Sequence, residues 1–422
     1  MSDLSHRAST ALYSLGAVDL SDNRFEARNI KSIMLELAKS PFSRLSSLNL
    51  SHNPLGVSGL HALEGAVSGG SLANIKWLYL QGSLTSDADV NGALLATSMD
   101  AVLCHCHHLR RLDLSQNNLG VPGASALARI ISQDKNLVSV LHPHSPRVDL
   151  VDISETNLGD EGLSAFVESL ECPYYVDELQ LEGNGIHATG VSHLVDGICS
   201  GKIVIDEGSF KCPNLRRNPL GLEGTVAIGR MFCNSHYQVK EVALSRCQLT
   251  TAGGLPNTHC CMNQVDNSVT GKVVRDVGQQ LCQMPHSNTI TWLNLDGNSF
   301  TGEGIHILSG FMHLCPCLTS LSSGECEITS DDLKKLLDRL TEFKASSPSL
   351  CSKLESWNLC NNEIDDSGVI ALIDHLPSLF PCLRNSIMHL LGDDIIDFDD
   401  NPVSSEMMRR LEEEMERHKE VN

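Results

Sequence analysis

Long apolar runs are missing from this chain: nowhere does it hold the roughly 18 or more consecutive apolar residues that a membrane-crossing helix needs. The opening MSDLSHRAST is polar with no apolar stretch behind it, so a secretory leader is not expected. Positive charge is also short, with 31 Lys and Arg against 52 Asp and Glu and a formal net charge of -21. No cluster of basic residues stands ready to neutralise phosphates, which argues against a nucleic-acid binder and makes a basic partner the electrostatically favoured one. Aromatic residues make up only 4% of the 422 positions, so each of the 3 Trp is informative. The 16 Cys are too sparse and too irregularly spaced for a secreted disulfide scaffold and read as reduced thiols. Pro, Gly and Ser nowhere pool into a linker, which points to one continuous architecture in a soluble, cytoplasmic protein.

What the chain has in abundance is a repeat. The pattern L-x-x-L-x-L-x-x-N-x-L recurs about twelve times, most clearly as LSSLNLSHNPL from Leu45, LRRLDLSQNNL from Leu109, VDELQLEGNGI from Val176, ITWLNLDGNSF from Ile290 and LESWNLCNNEI from Leu354. Weaker copies start at Leu15, Ile75, Val148, Phe210, Val239, Leu318 and Asp393. The asparagine position holds Asn23, Asn53, Ser83, Asn117, Thr156, Asn184, Asn218, Cys247, Asn298, Cys326, Asn362 and Asn401. Every substitute is small and able to hydrogen-bond, as expected of a side chain that satisfies backbone groups where a strand turns into its loop. Apolar residues at the first, fourth and sixth positions fill a shared core that no single copy closes by itself. Most copies continue into a glycine-containing turn and a stretch with helical apolar spacing, such as GVPGASALARII and GDEGLSAFVESL.

A strand–turn–helix unit of this kind resembles the ribonuclease-inhibitor-like subclass of leucine-rich repeats, and LRRLDLSQNNLGVPGASALA is especially similar to the repeats of NOD-like receptors. The resemblance implies an α/β leucine-rich repeat solenoid, a horseshoe with parallel strands on the concave face and helices on the convex face. The resemblance covers roughly residues 12–403 and places 1–403 in one leucine-rich repeat domain, leaving 404–422 as a C-terminal capping helix with Met407, Leu411 and Met415 on one stripe. Successive asparagine positions lie 28 to 51 residues apart, and the extra length is expected as insertion loops near 134–147, 196–212, 253–271 and 341–352. Pro213 falls on a core strand position of the seventh copy, where the missing N–H predicts a distorted strand or a break. Receptors of this kind carry a nucleotide-binding module before the repeats; here repeats begin near Leu12, so that module is not expected in this chain.

Few residues suggest chemistry. Cys104, His105, Cys106, His107 and His108, with His142 and His144 a repeat later, have zinc-binding side chains, but five adjacent residues make a poor tetrahedral site. Cysteines recur just before strands at Cys233, Cys282, Cys315, Cys317 and Cys382, which favours small packing residues at helix-to-strand junctions and no metal. Cys260 and Cys261 lie in the longest insertion, and Gly253 and Gly254 lack the lysine and hydroxyl of a phosphate loop. The run DDIIDFDD reads as an acidic-faced strand rather than a calcium loop.

Side chains alternate along a strand, so the third, fifth and seventh positions face away from the core. They include Trp77, Tyr79, Arg111, Asp113, Asp152, Glu178, Gln180, Glu182, Glu241, Trp292, Asn294 and Asp296, while Trp357 takes a core position. Aromatics beside Arg and Asp compose a protein-binding hot spot, and the carboxylates favour a basic partner surface. The reading is therefore a non-catalytic, cofactor-free recognition module of NOD-like-receptor type, binding a protein on its strand face. The alternatives from the same resemblance are a ribonuclease inhibitor, an activator of the Ran GTPase with Arg24 as the one candidate arginine, and an actin-regulatory protein.

Overall fold

The computed structural model describes residues 16–25, 28–29, 31–33, 45–68, 74–84, 102, 106, 108–132, 148–171, 173–205, 213–233, 240–250, 267–287, 289–382 and 396–417. The strands are only two or three residues long, so their order comes from stacking on neighbours rather than from length. The chain divides into two compact units, Met1–Ile186 with Asp196–Gly208, and His187–Val195 with Ser209–Asn422.

In the first unit, β1 (Ala17–Asp19), β2 (Ser47–Asn49), β3 (Trp77–Tyr79), β4 (Arg111–Asp113), β5 (Leu150–Asp152) and β7 (Glu178–Gln180) form one parallel sheet in chain order. A second sheet pairs β6 (Tyr174–Val176) with β8 (Ile203–Ile205). In the second unit, β9 (Glu241–Ala243), β10 (Trp292–Asn294), β11 (Ser320–Ser322), β12 (Ser356–Asn358) and β13 (Ile396–Asp397) form a five-stranded parallel sheet. The intervening helices are α1 (Gly56–Ser68), α2 (Gly120–Ser132), α3 (Gly159–Glu168), α4 (Ala188–Cys199), α5 (Gly221–Phe232), α6 (Asn267–Gln283), α7 (Ile305–Leu314), α8 (Ser330–Ser346), α9 (Asp366–Leu379) and α10 (Ser405–Arg417).

Register is unbroken within each sheet. Position four forms one buried row through Val18, Leu48, Leu78, Leu112, Val151 and Leu179, and another through Val242, Leu293, Leu321, Trp357 and Ile396. Trp357 is only 1% exposed, donates from Nε1 to the Ser323 hydroxyl at 3.0 Å and packs its ring on Phe380. In the seventh copy Pro213 is buried and outside any strand, and Asn214 makes a strand-type bridge. A proline at that row has no ladder donor, and among the described residues of this copy only the Asn214 bridge is strand-like.

The asparagine row works as a two-sided amide ladder. Asn53 donates from Nδ2 to the carbonyls of Leu20, Leu50 and Ser51 at 2.8, 2.9 and 3.2 Å, and its Oδ1 accepts the Asn23 and Phe25 N–H groups. Asn117, Asn184, Asn298 and Asn362 repeat the arrangement. Ser83, Thr156, Cys247 and Cys326 supply the donor half, each giving its hydroxyl or thiol hydrogen to carbonyls near its own turn or the preceding strand. The ladder satisfies groups that water cannot reach, which is why the position tolerates only small polar side chains.

Two stretches expected as insertion loops are in part ordered elements. Residues 341–346 complete α8, because Leu333, Leu336, Leu337 and Leu340 bury a helical stripe; the helix stops at Ser347, which precedes Pro348 and is extended at φ -132° and ψ 80°. Residues 196–199 end α4, and the β-branched run Ile203–Ile205 then forms β8. Residues 134–147, 206–212 and 253–266 lie outside the described residues, and Asn267 begins α6. Helix α10 packs on α9, with Leu411 2% and Met415 8% exposed and Ser404 donating twice to the Asp366 carboxylate just before it.

Candidate protein-interaction face

The strand rows that face away from the core hold the candidate residues. In the first unit position three runs Ala17, Ser47, Trp77, Arg111, Leu150 and Glu178, and position five runs Asp19, Asn49, Tyr79, Asp113, Asp152 and Gln180. Trp77 is 44% exposed, with the small Ser47 on one side and Arg111 on the other. Tyr79 stands half-buried between Asn49 and Asp113. Glu182 extends the same face at position seven, and Gln180 donates to Glu178 at 3.4 Å.

Geometry gives the position-five carboxylates a local duty that their charge alone does not reveal. Asp113 and Asp152 each accept the backbone N–H two residues ahead, of Ser115 and Ser154, at 3.0 and 2.9 Å. Asp19, Asn49, Asn294, Asn358 and Asp397 make the same contact. Tyr79, Gln180, Ala243 and Ser322 occupy position five in other copies; where it holds Asp or Asn, the side chain closes this turn at the strand end. Charge is what distinguishes the two: burial pushes the Asp152 carboxyl up, Ser154 partly offsets this, and the nearby carboxylates of Asp113 and Glu182 push it up further. Asp113, Asp152 and Glu182 therefore place three acids on one part of this sheet.

The second unit presents Glu241, Trp292, Ser320 and Ser356 at position three and Ala243, Asn294, Ser322, Asn358 and Asp397 at position five. Trp292 is half-buried and rises beside a low floor of serine. Asp296 is tied down by the Ser322 hydroxyl and the Gly324 N–H, both at 2.7 Å, and by the Asn294 amide at 2.9 Å. The candidate residues thus fall into two groups: Trp77, Tyr79, Arg111, Asp113, Asp152, Glu178, Gln180 and Glu182 on one sheet, and Glu241, Trp292, Asn294 and Asp296 on the other.

A row that the sequence reading passed over lies at position eight. Asp22, His52, Gly82, Gln116, Glu155, Gly183, Arg217, Arg246, Gly297, Glu325, Asn361 and Asp400 all have φ between 52° and 67°. The signal was available, since none is β-branched and three are glycine. At Gly297 a Cβ would stand 2.6 Å from Arg246 Cγ, and that arginine reaches across to pair with Glu325 two copies along.

Cys106 is buried and His108 exposed, while Cys104, His105, His107, His142, His144, Cys260 and Cys261 lie outside the described residues. Among the described residues no group of three or more His, Cys, Asp or Glu is arranged to hold a metal. Cys315 is buried, whereas Cys233, Cys282, Cys317 and Cys382 are half-exposed. Arg24 is exposed at φ 54° in the first turn. On the helical side, a cleft of about 300 Å³ is lined by Glu303, His306, Lys335, Asp338, Arg339 and Glu342. The Glu303 carboxyl is held below its usual range by the paired Arg275 guanidinium, at 2.6 and 2.7 Å.

Residues 45–63, 105–128, 150–167 and 350–372 match the Leucine Rich repeat family model. The chain is built of leucine-rich repeats. It is 24% identical to the ribonuclease inhibitor of Sus scrofa over 365 residues, covering 79% of this chain and 68% of that protein. It is 23% identical over 259 residues to NACHT, LRR and PYD domains-containing protein 5 of Homo sapiens, and 23% over 294 residues to protein 14 of the same series. Those two matches cover 60% and 65% of this chain but only 18% and 24% of the relatives, so the leucine-rich repeats here span under a third of the length of these relatives. Among the described residues no helix is long and apolar enough to cross a membrane.

Proposed function

We propose that this leucine-rich repeat protein is a non-catalytic, cytoplasmic recognition module, a sensor or adaptor of NOD-like-receptor type, that captures a protein with a basic surface on its strand faces. The observation that carries this reading is the sheet of the first unit. There an exposed Trp77 and the half-buried Arg111 and Tyr79 stand beside the carboxylates of Asp113, Asp152 and Glu182, a surface suited to a cationic ligand. Desolvating Trp and Tyr on such a face costs little side-chain entropy, and carboxylates next to them select positive charge. The similarity to receptor-type proteins supports the sensor role, and the pattern of side chains supports the choice of face.

The test compares the wild type with a Trp77→Ala, Trp292→Ala double variant in affinity capture from cytosolic lysate at low and moderate salt. The expected result is a basic partner that the wild type retains, that salt weakens and that the folded variant loses. Equal capture by both proteins, with unchanged melting of the variant, would remove the two tryptophans from the binding face. A ribonuclease inhibitor is the second reading, favoured by a match that extends over 68% of such a protein. Inhibition of a basic ribonuclease by the purified chain would select it.

A further inference from the structure

Leu318 and Leu354 are the first-position leucines of adjacent copies, and the residue just before each carries reactive chemistry: Cys317 in one, Lys353 in the next. Their proximity comes from the fold. Strands β11 and β12 pair Ser320 with Ser356, and the Glu355 N–H donates to Thr319 at 2.7 Å, so equivalent positions of the two copies are locked side by side. Lys353 Nζ lies 3.5 Å from Cys317 Sγ. Lys353 is exposed and Cys317 half-exposed, so solvent oxidants have access. The neighbouring thiols differ: Cys315 and Cys351 are buried, and Cys233 donates its thiol to the Pro285 carbonyl at 3.0 Å.

We propose that Cys317 and Lys353 form a reversible, peroxide-driven cross-link between adjacent repeats. The Cys317 thiolate attacks one oxygen of hydrogen peroxide; the O–O bond breaks, hydroxide leaves and is protonated to water, and the sulfur becomes a sulfenic acid. The Lys353 amine, after losing its extra proton to solvent, attacks that sulfur. The S–O bond breaks, the oxygen departs as a second water, and an S–N bond forms. In net terms one thiol, one amine and one peroxide give one sulfenamide and two waters, with sulfur oxidised by two electrons and peroxide reduced by two. A thiol reductant reverses the bond by attacking sulfur and releasing the amine. The geometric feature that the proposal uses is the amine itself, which stands 3.5 Å from the Cys317 sulfur.

The full-length chain is treated with hydrogen peroxide, remaining thiols are alkylated, and intact and peptide masses are read before and after dithiothreitol. The expected product is about 2 Da lighter than the reduced chain once the added alkyl groups are subtracted, with the Cys317 and Lys353 peptides joined until the reductant separates them. Lys353→Arg is expected to abolish the joined peptide and leave a sulfenic acid at Cys317 that dimedone labels; Cys317→Ser is expected to abolish both. Oxidation of Cys317 no faster than Cys382 would overturn the proposal. So would an oxidised Cys317 found in a disulfide with Cys315, or dimedone labelling that Lys353→Arg leaves unchanged.

Discussion

Asn298 shows what one side chain does for this fold. It is fully buried, donates to the carbonyls of Leu244 and Leu295 at 2.9 and 2.6 Å, and accepts the N–H groups of Cys247 and Leu249. Alanine at this position strands several backbone groups away from water, so Asn298→Ala is expected to cost about 3 kcal/mol, read as a lower urea midpoint at unchanged slope. Asn298→Cys keeps the donor half, as Cys247 and Cys326 do, and is expected to lose less. Asp152 behaves in the opposite way. Its carboxyl titrates above its ordinary value in the folded chain, so the native state holds the proton more tightly than the unfolded one. Its ionisation therefore works against folding: the penalty is absent below the unfolded value and grows as pH rises through the folded one. Asp152→Asn preserves the acceptor for the Ser154 N–H, as Asn49 and Asn294 do in their own copies. Its melting temperature is expected to match wild type in acid and to equal or exceed it at neutral pH. A clearly lower value at neutral pH would mean that the negative charge itself holds the turn.

At the scale of elements, helix α8 is tied down at its start by a reciprocal cap. The Thr329 hydroxyl accepts the Asp332 N–H at 3.2 Å, and the Asp332 carboxylate accepts the Thr329 N–H at 3.4 Å. Thr329→Ala is expected to destabilise the second unit by about 1 kcal/mol, and Thr329→Ser to restore most of it, both measurable by urea titration followed by fluorescence of the buried Trp357. The elements differ in how plainly the sequence announces them. The strands were legible despite their brevity because leucine at fixed offsets marks them, and the glycine turns announced α1, α2, α3, α5 and α9. The end of α8 was not legible, because Thr341, Glu342 and Lys344 are polar and the leucine stripe stops at Leu340. Strand β8 hid inside a supposed loop because Ile203–Ile205 belongs to no copy of the leucine pattern and pairs outside the main sheet. The outward rows were legible from alternation alone. That position-five carboxylates also close turns was hidden, since an Asp that accepts a local N–H and one that awaits a ligand look alike in sequence.

Across the whole molecule 52 acidic residues stand against 31 basic ones, yet a net charge by itself chooses no face. The strand rows allow that choice to be tested, because asparagine can replace aspartate at position five with the turn retained. Asp113→Asn with Asp152→Asn removes two negative charges from the first unit while keeping the acceptors for Ser115 and Ser154. If a basic protein docks on this sheet, the double variant should melt at or above the wild-type temperature, bind more weakly and show a shallower dependence of affinity on salt. The loss is expected mainly in the association rate, since charges at a partly solvated face steer encounter more than they hold the complex. An unchanged salt dependence together with weaker binding by Trp77→Ala would leave the aromatic contact as the determinant and place the electrostatic attraction elsewhere on the chain. Unchanged binding by both variants would exclude this sheet as the docking surface.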